Sequence, residues 1–317
     1  MELFRDVNID WLGKKWYFLA FSLIFSVAGI LSMLFWHHIP LSVDFRGGTD
    51  VTVRFAETPN ADHIRSAMDA SGLHNARIQS IGRATENEVL ISLDRQQSGP
   101  ESQLESGKSA IIDALNKSGF HNFEVVDVAV VGAVVGKQLQ KQAFLATLYS
   151  LIGMLVYLWF RFELIYGIAA VVAVFHDTLI TVGAFSLTNK EISLTVIAAI
   201  LTLIGYSMND TIVVFDRIRE NLKLRRRESL AEIVNASINQ TLSRTVLTSG
   251  LTFLTVLSLY LFGGEVLHGF SFALVIGILI GTYSSIAVAA PMLVAYQERR
   301  ALSGKTVSLP TGKKARA

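Results

Sequence analysis

Residues Ile192–Phe215, ISLTVIAAILTLIGYSMNDTIVVF, contain one Asp, Glu, Lys or Arg, and it is Asp210. A helix crosses the hydrocarbon core of a bilayer with about 20 mostly apolar residues. This stretch is long enough to span, and it makes the chain a membrane protein rather than a soluble domain. The midpoint falls near Leu203, and seven residues at about 1.5 Å each place Asp210 roughly 10 Å toward one surface, still inside the hydrocarbon. A charged side chain at the helix centre costs on the order of 2.5 to 3.5 kcal/mol on insertion scales, which makes such a residue a functional candidate by default. Tyr206, Ser207 and Asn209 before it and Thr211 after it supply a polar seam.

The pattern repeats outward in both directions. Trp16–Trp36, Ala143–Phe160, Thr245–Gly264 and Gly269–Gln297 are free of Asp, Glu, Lys and Arg, and Leu164–Thr188 is interrupted only by Asp177. Over all 317 residues, 51% are hydrophobic and 17% charged, below the roughly 25% charged of a soluble domain, and the mean hydropathy is +0.44. The chain has no cysteine, which excludes disulfides, thiolate metal sites and a thiol nucleophile.

Six spans put both ends on one side. Sixteen Lys and Arg lie in the N-terminal tail, at Arg161, in the 216–228 loop and after Gln297, against Lys190 alone in the opposite short loops. Positive charge marks the cytoplasmic side. The expected organisation is a cytoplasmic tail 1–15, a first span 16–40, a periplasmic head 41–138, five spans over 139–297 with a cytoplasmic loop 216–244, and a basic cytoplasmic tail 298–317. The first span reads as an uncleaved anchor, because its apolar run is too long for a signal peptide and His37, His38 and Pro40 replace the small residues of a cleavage site.

The polar block changes period. Val51, Val53 and Phe55 alternate as in a strand. Asn60 can cap a helix with Ile64, Ala67 and Met68 on its inner face, ended by Gly72. Strands over 76–81 and 88–93, a helix from about Glu101 to Ser118 and a strand near Phe123–Val130 complete a βαββαβ order, the ferredoxin-like α+β layout. The block holds 9 basic and 13 acidic residues, so it is no grip for nucleic acid. It carries no catalytic constellation and reads as a binding or mechanical module.

Other features divide into structural devices and candidate sites. Gly277 and Gly281 form a small-xxx-small face for close helix packing. Ser229-Leu-Ala-Glu232 is a capping box, opening a helix expected to lie along the cytoplasmic surface before the fifth span. His176-Asp177 in the third span is a secondary polar candidate, with a structural interhelix hydrogen bond as its plainer reading. Arg244 is the natural counter-ion for Asp210, with Thr248 on the same face at i+4. An intramembrane hydrolase built on His176 and Asp177 would want further His or Glu ligands from other spans, and none has either inside it. No metal or cofactor is called for.

Three motifs carry a resemblance: Asp44-Phe45-Arg46-Gly47-Gly48-Thr49 after the first span, Gly205-Tyr206-Ser207-Met208-Asn209-Asp210-Thr211 running on to Asn221, and Arg244-Thr-Val-Leu-Thr248-Ser249-Gly250. In this order and on these sides they resemble the SecF side of the SecD/SecF family of bacterial protein export, within the resistance-nodulation-division superfamily. The resemblance implies a non-enzymatic inner-membrane subunit that works with SecD, here a separate chain, beside the SecYEG channel with SecA and YajC. It implies a role in late, ATP-independent translocation of unfolded preprotein, with the proton-motive force as driver and the proton as coupling ion. Asp210 and Arg244 fall on the family's proton-pathway positions, and Ser207, Asn209 and Thr248 join them. Asp44, Phe45, Gly47, Gly48 and Thr49 are expected to hinge the head. A small-molecule or lipid exporter of the same superfamily is the rival, but it calls for two long exported insertions and about twelve spans.

Overall fold

A computed structural model describes residues 7–74, 76–81, 87–94, 104–120, 122–162, 164–225 and 227–302. Arg5, Arg226, Lys305, Lys313, Lys314 and Arg316, which enter the charge count, lie outside these residues, as does Glu101 at the expected start of the second head helix.

Among the described residues, six helical stretches are long and apolar enough to cross a membrane. Helix α1 (Lys15–Leu31) runs into a π-helical turn at Ser32–Trp36. A four-residue helix α2 (Val43–Arg46) leads into the head, and α5 (Ala133–Arg161) leads out of it. The bundle is completed by α6 (Leu164–Thr188), α7 (Leu194–Leu224), α8 (Leu230–Phe262), α9 (Gly264–Ser284) and, after a π-helical turn at Ser285–Ala289, α10 (Ala290–Leu302). That turn ends two residues before Pro291, whose ring cannot fit an unbroken α-helical ladder.

Helix ends follow local chemistry. Asn189 ends α6 with a left-handed φ of 52°, and Lys190 N–H bonds back to Phe185 O at 3.0 Å. Ser229 and Glu232 form the reciprocal capping box at the start of α8. Here the structure departs from expectation. The sequence suggests a surface helix, a loop 216–244 and then a separate span, but α7 runs on to Leu224 and α8 is one continuous helix through Arg244. No proline interrupts Leu230–Phe262, and the early part of α8 is packed rather than surface-bound: Asn221 of α7 donates to Ser237 Oγ at 2.8 Å.

Small residues set the closest helix contacts. Gly29 of α1 meets Gly183 of α6 so tightly that a Cβ on Gly29 would sit 2.9 Å from the Gly183 backbone. Gly277 and Gly281 let α9 lie against α7, where a Cβ on Gly281 would stand 2.9 Å from Ser207 Cβ.

The head contains β1 (Gly48–Phe55), α3 (Ala61–Ala70), β2 (Ala76–Ile81), β3 (Glu88–Asp94), α4 (Leu104–Lys117) and β4 (Phe123–Val131). Asn60 caps α3 by accepting from Asp62 N–H at 2.9 Å. The strands form one antiparallel sheet ordered β2-β3-β1-β4. Its core, with Val51, Val53, Ile64, Met68, Ile91, Ile111 and Leu115, is separate from the core of the spans.

Candidate functional site

The buried positions of α7 include Val196, Ile200, Leu203, Ser207, Asp210, Val214, Ile218 and Asn221, a stripe at helical spacing. Asp210 therefore points into the bundle and is 2% exposed. Ser249 of α8 donates its hydroxyl to Asp210 Oδ2 at 2.7 Å. Thr282 of α9 stands beside this carboxyl, with a buried hydroxyl that makes no hydrogen bond.

Arg244, Thr248 and Asn209 sit differently from Asp210. All three are exposed on the outside of the single chain, and Thr248 Oγ1 bonds back to Arg244 O at 3.0 Å. Arg244 acts on Asp210 through its charge alone, because among the described residues no ion pair joins them. Ser249 rather than Thr248 reaches the acid. The signal for this is helical phase, since Thr245 and Ser249 share the buried side of α8 while Arg244 and Thr248 share the exposed one.

The second intramembrane acid is enclosed more fully. Asp177 is 1% exposed. Its Oδ2 accepts from Ser207 at 2.5 Å and Ser284 at 2.8 Å, and its Oδ1 lies 3.0 Å from His176 Nδ1. Ser207, expected beside Asp210, thus bonds the other carboxyl.

The Asp44–Thr49 motif forms a joint between head and spans. Asp44 accepts from Leu194 N–H at 3.0 Å, the first residue of α7. Phe45 is buried in the core of the spans. Arg46 lies 3.3 Å from Glu191 in the α6–α7 loop and 3.1 Å from Asp94 of β3. Gly47 and Gly48 have φ of 74° and 143°, a region that side-chain-bearing residues resist, and Thr49 is buried at the start of β1. Arg77 of β2 also meets Glu191, at 3.3 Å. Burial pushes the Glu191 carboxyl up to about 7, with Asp50 repelling and Arg77 opposing. Burial likewise pushes Asp50 up to about 6, against its hydrogen bond with Ser92. Sequence reasoning missed Arg77 and Glu191, which read as ordinary surface charges.

Among the described residues, no group of three or more His, Asp or Glu is placed to hold a metal ion. The arrangement suits moving a small cation or proton between buried oxygens, and coupling the spans to the head through charged contacts.

Residues 111–299 match the family "Protein export membrane protein SecD/SecF, C-terminal". The protein translocase subunit SecF of Koribacter versatilis is 57% identical, with 98% of this chain and 96% of that relative aligned. The SecF subunit of Calditerrivibrio nitroreducens is 45% identical over 92% of this chain and 96% of its own length. Among solved structures, SecDF from Thermus thermophilus, described as a translocon-associated membrane protein, matches with a TM-score of 0.81 and 38% identity, covering 93% of this chain. The chain spans 39% of that SecDF chain. A SecDF structure in a super-membrane-facing form matches with a TM-score of 0.67 at the same identity, covering 95% of this chain and 40% of that one. With six apolar helices, one antiparallel head and these relatives, the chain is a multi-pass membrane protein that belongs to the SecF protein translocase subunits of the SecD/SecF protein-export family.

Proposed function

We propose that this chain is the SecF half of a SecD–SecF complex in the bacterial inner membrane, with both termini cytoplasmic and the head periplasmic. The complex uses the proton-motive force to assist late, ATP-independent passage of preproteins through SecYEG, in an assembly that includes SecA and YajC. The observation that carries this reading is Asp210, a carboxyl 2% exposed inside a span and bonded by a hydroxyl rather than a cation. A hydroxyl can donate to a carboxylate or accept from a carboxylic acid, so the site accommodates either protonation state. Arg244 stands near enough to act on the acid and faces outward, where SecD would pack. Movement of its guanidinium toward Asp210 would favour the ionised acid, and withdrawal the protonated one.

One charge crossing about 100 mV gains about 2.3 kcal/mol, enough to bias a two-state helix arrangement but not to unfold a substrate at once, so the cycle repeats. The head would hold the emerging chain weakly. Its edge strand β4 offers exposed Val126 and Val130, suited to pairing with extended polypeptide. The two SecDF forms, matched at equal identity but with TM-scores of 0.81 and 0.67, favour a fold that changes shape.

Asp210→Asn tests the reading, because Asn keeps the size and can accept from Ser249 but does not titrate. In membrane vesicles holding this chain with its SecD counterpart, the variant should insert normally and lose the part of export that responds to a proton gradient. Gradient-dependent export equal to wild type would remove Asp210 from the mechanism.

A further inference from the structure

Asp177 and His176 take no part in the pathway described so far, yet their surroundings match its chemistry more closely than those of any surface group. Asp177 lies 13 residues from the start of α6 and 11 from its end, and at about 1.5 Å per residue it is deep in the hydrocarbon from either side. Three helices converge on its carboxyl: α6 carries it, α7 sends Ser207 and α9 sends Ser284, both to Oδ2. The titratable group beside it is His176, with Nδ1 3.0 Å from Oδ1. The other ring nitrogen, His176 Nε2, is buried and has no hydrogen-bond partner, and the His176 side chain is 13% exposed. A buried ring nitrogen without a partner carries a desolvation cost that a structural hydrogen bond alone does not explain.

The site is tied to Asp210 through the same two helices. Ser207 precedes Asp210 by three residues, one turn of α7, so the side chain that bonds Asp177 neighbours the primary acid on the same helix face. On α9, Ser284 serves Asp177 while Thr282 acts on Asp210. Just before them Gly281 presses against Ser207, with no room for a Cβ. A shift of α9 along α7 therefore alters the hydrogen bonding of both carboxyls together. In chain direction Asp177 and Ser207 lie nearer the loop that carries Glu191, the head side, than Asp210 does.

Resting on the proton-coupled reading above, we propose that His176 and Asp177 form a second proton-binding site, in series with Asp210 and on its head side. In one transfer, Nε2 takes up a proton arriving from the head side while Nδ1 gives its proton to Asp177 Oδ1. The imidazole ends neutral with its hydrogen on Nε2, and the carboxylate ends as a carboxylic acid. Ser207 and Ser284 stay bonded throughout, since hydroxyls serve either form of the acid.

The test combines spectroscopy of the purified full chain with export. Infrared difference spectra across a pH titration should show, beside the signals of Glu191 and Asp50, two further buried carboxyl signals, one lost in Asp210→Asn and the other in Asp177→Asn, with His176→Gln shifting only the second. Asp177→Asn should also lower gradient-dependent export about a hundredfold, the lower end for loss of a proton-transferring group. Ser284→Ala, which keeps the acid, should move the Asp177 signal without removing it and controls for misfolding. Loss of the Asp210 signal alone from this pattern would defeat the primary pathway and leave the second site standing. Absence of any signal assignable to Asp177, or undiminished export in Asp177→Asn, would overturn the proposal and leave the residue a clamp between three helices.

Discussion

Two groups of acids stand apart by the kind of partner they have. Inside the spans, Asp177 and Asp210 are met by the hydroxyls of Ser207, Ser284 and Ser249. At the head–span joint, the half-buried Glu191 and the exposed Asp94 are met by the guanidinium groups of Arg46 and Arg77. A hydroxyl donates or accepts as required, whereas a guanidinium only donates. The acids in the spans can therefore change protonation while keeping their contacts. Those at the joint lose an ion pair whenever they take up a proton. The first environment suits an element that titrates repeatedly, and the second a fastening that holds or lets go.

The largest expected effect comes from locking the fastening. Cysteines replacing Arg77 and Glu191, whose charged tips lie 3.3 Å apart, can be bridged in this cysteine-free chain by a reducible bifunctional thiol reagent. Export should stop when the bridge is complete and return on reduction. The same double variant without reagent reports the cost of losing the ion pair alone. Unchanged export with full crosslinking would mean that the head works as a static surface.

Next comes the seam. Arg244→Lys keeps the charge but replaces a planar fork with a point-like ammonium. Gradient-dependent export should fall about tenfold, equivalent to about 1.4 kcal/mol of lost coupling. Full activity of the Lys variant would reduce Arg244 to a positive-inside anchor and remove the one cation that distinguishes Asp210 from Asp177.

How far each region was legible in the sequence follows from the same physics. A lone Asp in an apolar run stands out because the bilayer penalises it, so Asp177 and Asp210 were visible as single letters. Their partners were not, because Ser and Thr are ordinary in spans and only helix phase and close packing decide that Ser249, not Thr248, meets Asp210. The glycines of α9 were legible as a packing face, but not as the contact that presses on Ser207. The joint was least visible: Arg77 and Glu191 are 114 positions apart and carry charges that any exposed surface could hold. The continuous α8 escaped notice because polar residues through Arg244 resemble a loop until the helix is seen to pack against α7.

The joint also makes a pH prediction. The Glu191 carboxyl stands at about 7 against an ordinary 4.5, so the folded chain holds this proton more tightly than the unfolded one. Its contribution is full below about pH 4.5 and is lost as pH rises through about 7, amounting to about 3 kcal/mol at the upper limit. Asp50, at about 6, acts in the same direction. Thermal unfolding of the purified chain in detergent should therefore occur at a lower temperature at pH about 8 than at about 5, and Glu191→Gln should flatten that dependence. An unaltered slope in the variant would place the titrating group elsewhere.

The smallest effect concerns how tightly the seam is closed, and two glycines on one helix allow an internal control. A Cβ at Gly277 would lie 2.5 Å from both methyl carbons of Leu203, a nearer approach than the 2.9 Å between a Cβ at Gly281 and Ser207 Cβ. Distance alone would make Gly277→Ala the worse variant. The identity of the neighbouring atom reverses that order. Leu203 methyls are the far end of a side chain that can change rotamer, whereas Ser207 Cβ is fixed to the α7 backbone and can yield only if the helices part. Gly281→Ala should therefore cost about 1–3 kcal/mol of overpacking, and Gly277→Ala less. Parting the helices at Gly281 also draws Ser284 away from Asp177, so this variant should lose gradient-dependent export beyond what its stability accounts for, while Gly277→Ala should not. Equal behaviour of the two would mean that α9 relaxes as a rigid rod, and that the contact at Ser207 has no special hold on either acid.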